Sequence, residues 1–221
     1  MSTPRDDTIG TSPFRGMTGC GYQYGCTAGE PPALPDCWQA VSVTTGLELL
    51  ESARTMLAAG DAQPRWPVSE DYPDEMVRAA LAAALLSSFA PSDAPLIGEL
   101  TRREIAAVED SGAGCGDVLL ACCWLLFMAG RAEDSALVWR AKNINFDTHC
   151  YIDSVFLAPQ GVAATAEFAR SVGLQDLVAW VDGEWIGDME SAAQEWRSGS
   201  FFADAPSASA PVEELAAWLR Q

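Results

Sequence analysis

The chain has one histidine and one lysine, and both fall in a single polar stretch together with two aspartates: Lys142, Asp147, His149 and Asp153. General acid–base chemistry needs a group that titrates near neutrality, and histidine is the side chain whose ordinary pKa lies there. A short helix capped by Asp147 and running to about residue 158 would carry His149 and Asp153 four positions apart, on one face. Asp147, His149 and Asp153 would then form a metal or proton-transfer cluster, with Lys142 or Arg140 at the end of the preceding helix to stabilise an anion. Each residue also has a plainer local role, Asp147 as a helix cap and His149 as a side chain packed or hydrogen-bonded to Asp153. Cys150 adjoins the histidine. Neighbours on a helix point about 100° apart, however, so His149 is badly placed to activate that thiol as a nucleophile.

A second group of residues suits binding more than catalysis. Trp180, Asp182, Glu184, Trp185, Asp188, Glu190, Glu195 and Trp196 mix carboxylates with large aromatics, a combination able to grip a basic surface with tryptophan anchors. Trp180, Asp182, Trp185, Asp188 and Glu190 are the candidate partner-binding residues. The alternative is a buried tryptophan face backed by a solvated acidic one. Charge favours contact: 31 acidic residues against 13 basic leave a net charge of −18 and a pI near 4.2. That balance opposes nonspecific association with nucleic acid or an anionic membrane and points to a basic protein partner.

The cysteines and glycines carry less. Seven cysteines make an odd number, and the first residues hold no apolar export segment, so a reducing cytoplasm is the expected setting. Cys20, Cys26 and Cys37 could supply three thiolates to zinc, but five and ten residues intervene, unlike the short paired spacing of common zinc sites. Free, oxidised and metal-bound states stay open for these three. The cluster at residues 111–116 lacks the Gly-Lys-Ser/Thr ending and the preceding strand of a phosphate loop, so it reads as a connection. No cofactor is named by any motif. Lys142 as the sole lysine, with abundant alanine, suggests a GC-rich coding sequence.

Helices must position these groups, and one stretch organises them. Residues 118–128 contain no charged or strongly polar side chain, so the helix they form should be covered on every side, although it is well short of the roughly 20 residues that cross a bilayer. Asp117 can cap it, and Gly130 stands where a left-handed residue ends a helix. A partner helix starts near Glu133 and carries Leu137, Val138, Ala141 and Ile144 at helical spacing. The short connection makes the pair an antiparallel hairpin. Residues 129–141, with Gly130 before the turn and the small Ala136 and Ala141 after it, resemble the turn of a tetratricopeptide-type helix pair. The resemblance covers less than a tenth of the chain, has no second copy at a period near 34 residues, and implies only a helix hairpin in a stack.

The remaining chain is punctuated in the same way. Thr44 or Thr45 can cap a helix with Leu49, Leu50, Ala53, Met56 and Leu57 on one side. A second follows Pro73 with Asp74 and Glu75 in its first turn, and a third follows Ser92 or Asp93 with Pro95 near its start. Val162, Ala166 and Ala169 mark another, and Leu215, Trp218 and Leu219 give a terminal helix a docking side. The expected architecture is all-α: a compact domain of antiparallel helix hairpins, extendable to a short α-solenoid, around a buried central helix. Its divisions are a Gly/Pro/Cys-rich N-terminal arm at 1–43, a helical domain at 44–200, and a linker with docking helix at 201–221. Two functions fit. One is an acidic protein-binding module, for example an inhibitor or immunity-type partner of a basic protein. The other is an enzyme or metal-dependent protein centred on Asp147, His149 and Asp153.

Overall fold

The apolar run is the helix α4, Asp117–Ala129, and it is sequestered as a helix with no polar face must be. Val118 through Cys123 and Leu125 through Phe127 are all buried. In the computed structural model the described residues are 43–59, 66, 71–112, 114–183, 189–199 and 201–221, all within a unit spanning Ser42–Gln221. The described residues are all-α, with one isolated antiparallel bridge, Thr45 with Pro211. Among them no helix is long and apolar enough to cross a membrane.

Around α4 lie α1, Gly46–Ala58, α2, Asp74–Ser88, and α3, Ala94–Ser111. After α4 come α5, Ser135–Lys142, α6, Phe146–Tyr151, α7, Val162–Val172, α8, Gln175–Gly183, α9, Met189–Ser198, and α10, Val212–Leu219. Helices α2 and α3 pack on α4, while α10 folds back onto α2 with Val212, Leu215, Ala216 and Leu219 buried. The N-terminal arm up to residue 42, with Cys20, Cys26 and Cys37, lies outside the described residues.

Local chemistry explains most boundaries. Thr45 caps α1 through a reciprocal pair: its hydroxyl accepts from the Glu48 amide at 3.3 Å, and the Glu48 carboxylate accepts from the Thr45 amide at 3.1 Å. Gly46 follows because a Cβ there would overlap Leu215 and stand 3.0 Å from the Ala208 carbonyl oxygen; α1 and the C-terminal helix meet at that point. Gly130 ends α4 at φ 70°, a left-handed conformation that costs a side-chain-bearing residue energy. A charged clamp joins two elements distant in sequence. Arg54 donates to both carboxylate oxygens of the buried Asp93, at 2.8 and 2.7 Å, and to the Ser88 carbonyl at 2.9 Å.

Three expected boundaries are corrected. Gly116, with extended backbone, is the N-cap of α4, and Asp117 is its first residue; the Asp117 carboxylate still meets the helix dipole but accepts its hydrogen bond from Tyr151. The chain after Gly130 makes a 3-10 turn, Ala132–Asp134, before α5 opens at Ser135. Asp147 does not cap the helix after it, and that helix does not run to 158. Asn145 is the cap: its side chain accepts from the Thr148 amide at 2.9 Å while the Thr148 hydroxyl accepts from the Asn145 amide at 3.1 Å.

Candidate partner-binding surface

Helix α6 has six residues, too few to stand without outside support. Lys142 provides it. The side chain is buried, and its ammonium donates to the carbonyls of His149 and, at 2.7 Å, of Ile152. It therefore occupies the position of a cationic C-terminal cap on α6. Burial pushes the Lys142 pKa down, opposed in part by the negative charge of Asp153.

The chain then extends through Ile152 and Asp153, so the four-residue spacing of His149 and Asp153 no longer shares a helical face. His149 is exposed. Asp147 is also exposed, and a Cβ at Gly114 would stand 3.1 Å from one of its oxygens. Lys142 and Asp153 are brought near each other; His149 meets Lys142 only through its backbone carbonyl, and neither its imidazole nor the Asp147 carboxylate joins them through a hydrogen bond among the described residues. Nor do those residues contain a group of three or more His, Cys, Asp or Glu side chains arranged to hold a metal ion.

Asp153 instead meets the aromatic stretch. One of its oxygens accepts from the Val155 amide at 2.9 Å, starting the 3-10 turn Ser154–Leu157, and the other accepts from Trp196 Nε1 at 2.8 Å. Trp196 sits edge-on to Phe156, with ring centroids 4.7 Å apart, and within 6 Å of Trp124 and Phe201. A recess of about 350 Å³ opens beside it, lined by Asp153, Ala192, Glu195, Trp196, Gly199 and Phe201. The other predicted contacts are spread. Trp180 packs half-buried on Trp139, Asp182 is paired with Arg170 at 2.8 Å, and Glu190 is exposed 3.8 Å from Arg197. Trp185 and Asp188 lie outside the described residues.

Two surface aromatics escaped the sequence reading. Phe146, the first residue of α6, is 79% exposed, and Phe201 is 51% exposed. Phe146 follows its cap by one residue, where a side chain projects away from the helix body. Periodicity cannot find such a residue, but the Asn145–Thr148 pair could have. No protein-family model, curated protein or solved structure matches the chain.

A second cleft, of about 610 Å³, is walled by Tyr151, Glu75, Arg78, Glu104, Asp117 and Arg220 among others, Cys115 included. Its polar groups are mutually satisfied. Arg78 pairs with Asp74 and Glu104, Arg220 with Glu75, and the Tyr151 hydroxyl donates to Asp117 at 2.6 Å. Burial, then the charge of Asp117, pushes the Cys115 thiol up to about 12, so it stays protonated at neutral pH and is a poor nucleophile. Burial raises Cys122 and Cys123 as well.

Proposed function

We propose that the chain is an acidic protein-binding module for a basic partner protein and that α6 is its principal contact element. The observation that carries this reading is Phe146: a phenylalanine 79% in water, on a helix fixed by a closed capping box and by the Lys142 clamp. Burying such a ring in a partner contributes roughly 1.5–3 kcal/mol, and a helix whose backbone is already ordered adds little ordering cost on binding. Asp147 beside it, and Asp117 held by Tyr151 at the other end of the helix, give the two ends of α6 negative charge. With −18 over the whole chain, encounter with a cationic surface is steered and salt-sensitive. An inhibitor or immunity-type protein would use such a surface to cover a basic site.

The test is an array of immobilised arginine- and lysine-rich peptides, with charge-reversed peptides as reference. Capture on the basic set at low salt should fall about tenfold for Phe146→Ser, the loss expected of a buried aromatic anchor. Equal capture by both peptide sets, or capture unchanged in Phe146→Ser, would overturn the reading.

A further inference from the structure

The recess beside Trp196 combines aromatic rings with carboxylates. Its walls are an indole, the exposed ring of Phe201 and the carboxylates of Asp153 and Glu195, and among the described residues no arginine or lysine lines it. Among the described residues Glu195 has no ion-pair partner. The cations described nearby are engaged elsewhere: Lys142, beside Asp153, gives its ammonium to two carbonyls, and Arg197 lies over Phe127. We infer that this recess is a binding site for the guanidinium group of an arginine side chain presented by the partner.

A guanidinium is a plane with N–H donors along its edge, so it can lie on an aromatic face while its edge meets carboxylates. An ammonium is a compact, strongly hydrated charge that lacks the plane. The protein uses the same chemistry internally, on the same run of rings. The Arg197 guanidinium carbon lies 5.1 Å from the centre of Phe127, which packs on Trp124 and Phe156, and these pack on Trp196. Arg103 covers Trp66 at 4.2 Å. The run continues through Phe201 to Phe202 and Trp218, and among the described residues no cation lies over Phe201. The Trp196 N–H donates to a carboxylate at 2.8 Å, which fixes the ring and pushes electron density into it, the direction that strengthens attraction to a cation.

This inference rests on the basic-partner reading, and a small probe separates the two. N-acetyl-arginine amide is titrated into the full chain while the Trp196 indole N–H signal is followed by NMR, with the neutral citrulline analogue as reference. The arginine probe should shift that signal saturably and citrulline should not. Glu195→Gln and Phe201→Ala, both at exposed positions, should each weaken the probe by about three- to fivefold. A citrulline response equal to that of arginine, or an arginine response unchanged in both variants, would overturn the site. An array that still captures basic peptides while the probe leaves Trp196 unmoved would sink the recess alone; an array silent as well would sink the basic-partner reading with it.

Discussion

The carboxylate of Asp153 holds the indole of Trp196, 43 residues away, at 2.8 Å. It joins the polar stretch after α5 to the acid-rich helix α9, and it does so with the oxygen that the 3-10 turn leaves unused. Two regions that look like separate sites along the chain thus share one residue, whose first task is to order the surface.

Asp153 has two removable functions, and substitution should separate them. Asp153→Asn keeps an acceptor for Val155 or Trp196 and should cost about 1 kcal/mol; Asp153→Ala removes both bonds and should cost about 2–3 kcal/mol. Urea unfolding of the two variants measures the difference. Equal costs would mean that the bond retained by the asparagine contributes nothing.

Lys142 should matter locally more than globally. Lys142→Met fills the buried stem but leaves the His149 and Ile152 carbonyls without their donor, a loss of about 1–2 kcal/mol. Because α6 has only six residues, its amides should exchange with solvent much faster, while those of α4 change in proportion to the global loss. Hydrogen exchange resolved to α6 reads this directly; unchanged protection there would show that the ammonium is not its support.

Asp134 gives the fold a pH dependence of predictable sign. It is buried with one carboxylate oxygen lacking a hydrogen-bond partner, and Arg131 is 3.8 Å away. Burial pushes its carboxyl up to about 6 from an ordinary 3.8, with Arg131 opposing in part. A folded value above the unfolded one means the contribution is complete below the unfolded pKa and disappears as pH rises through the folded value. The stability difference between the wild type and Asp134→Asn should therefore shift in favour of the variant by about 2 kcal/mol between pH 4 and pH 7.5. Denaturant midpoints at the two pH values decide it, and a pH-independent difference would contradict the assignment.

How much of this was legible depends on whether a residue's role is local. The buried α4 could be read because its run is apolar on every face, and the start of α1 to within Thr44 or Thr45; the reciprocal bond with Glu48, three residues on, decides for Thr45. The start of α6 could not be settled by residue type, since Asn145 and Asp147 are both good caps. The choice falls to Thr148, whose hydroxyl answers Asn145, and to Lys142, which fixes where the helix stops. Asp117 was misplaced by one position because its carboxylate answers Tyr151, 34 residues later. The recess was invisible for the same reason: Asp153, Glu195 and Phe201 are joined only by the path of the chain around Phe156 and Trp196.

The contrast between Leu126 and Phe146 tests the division between core and surface. Leu126 is fully buried in the C-terminal half of α4, so Leu126→Ala should cost about 2–5 kcal/mol through lost transfer energy and the cavity left behind. Phe146, 79% exposed, has little burial to lose, and Phe146→Ser should stay within about 0.5 kcal/mol of wild type. Unfolding midpoints of the two variants measure both. A large loss in Phe146→Ser would mean that the ring is held by the fold, and the reason for treating it as an anchor for a partner would go with it.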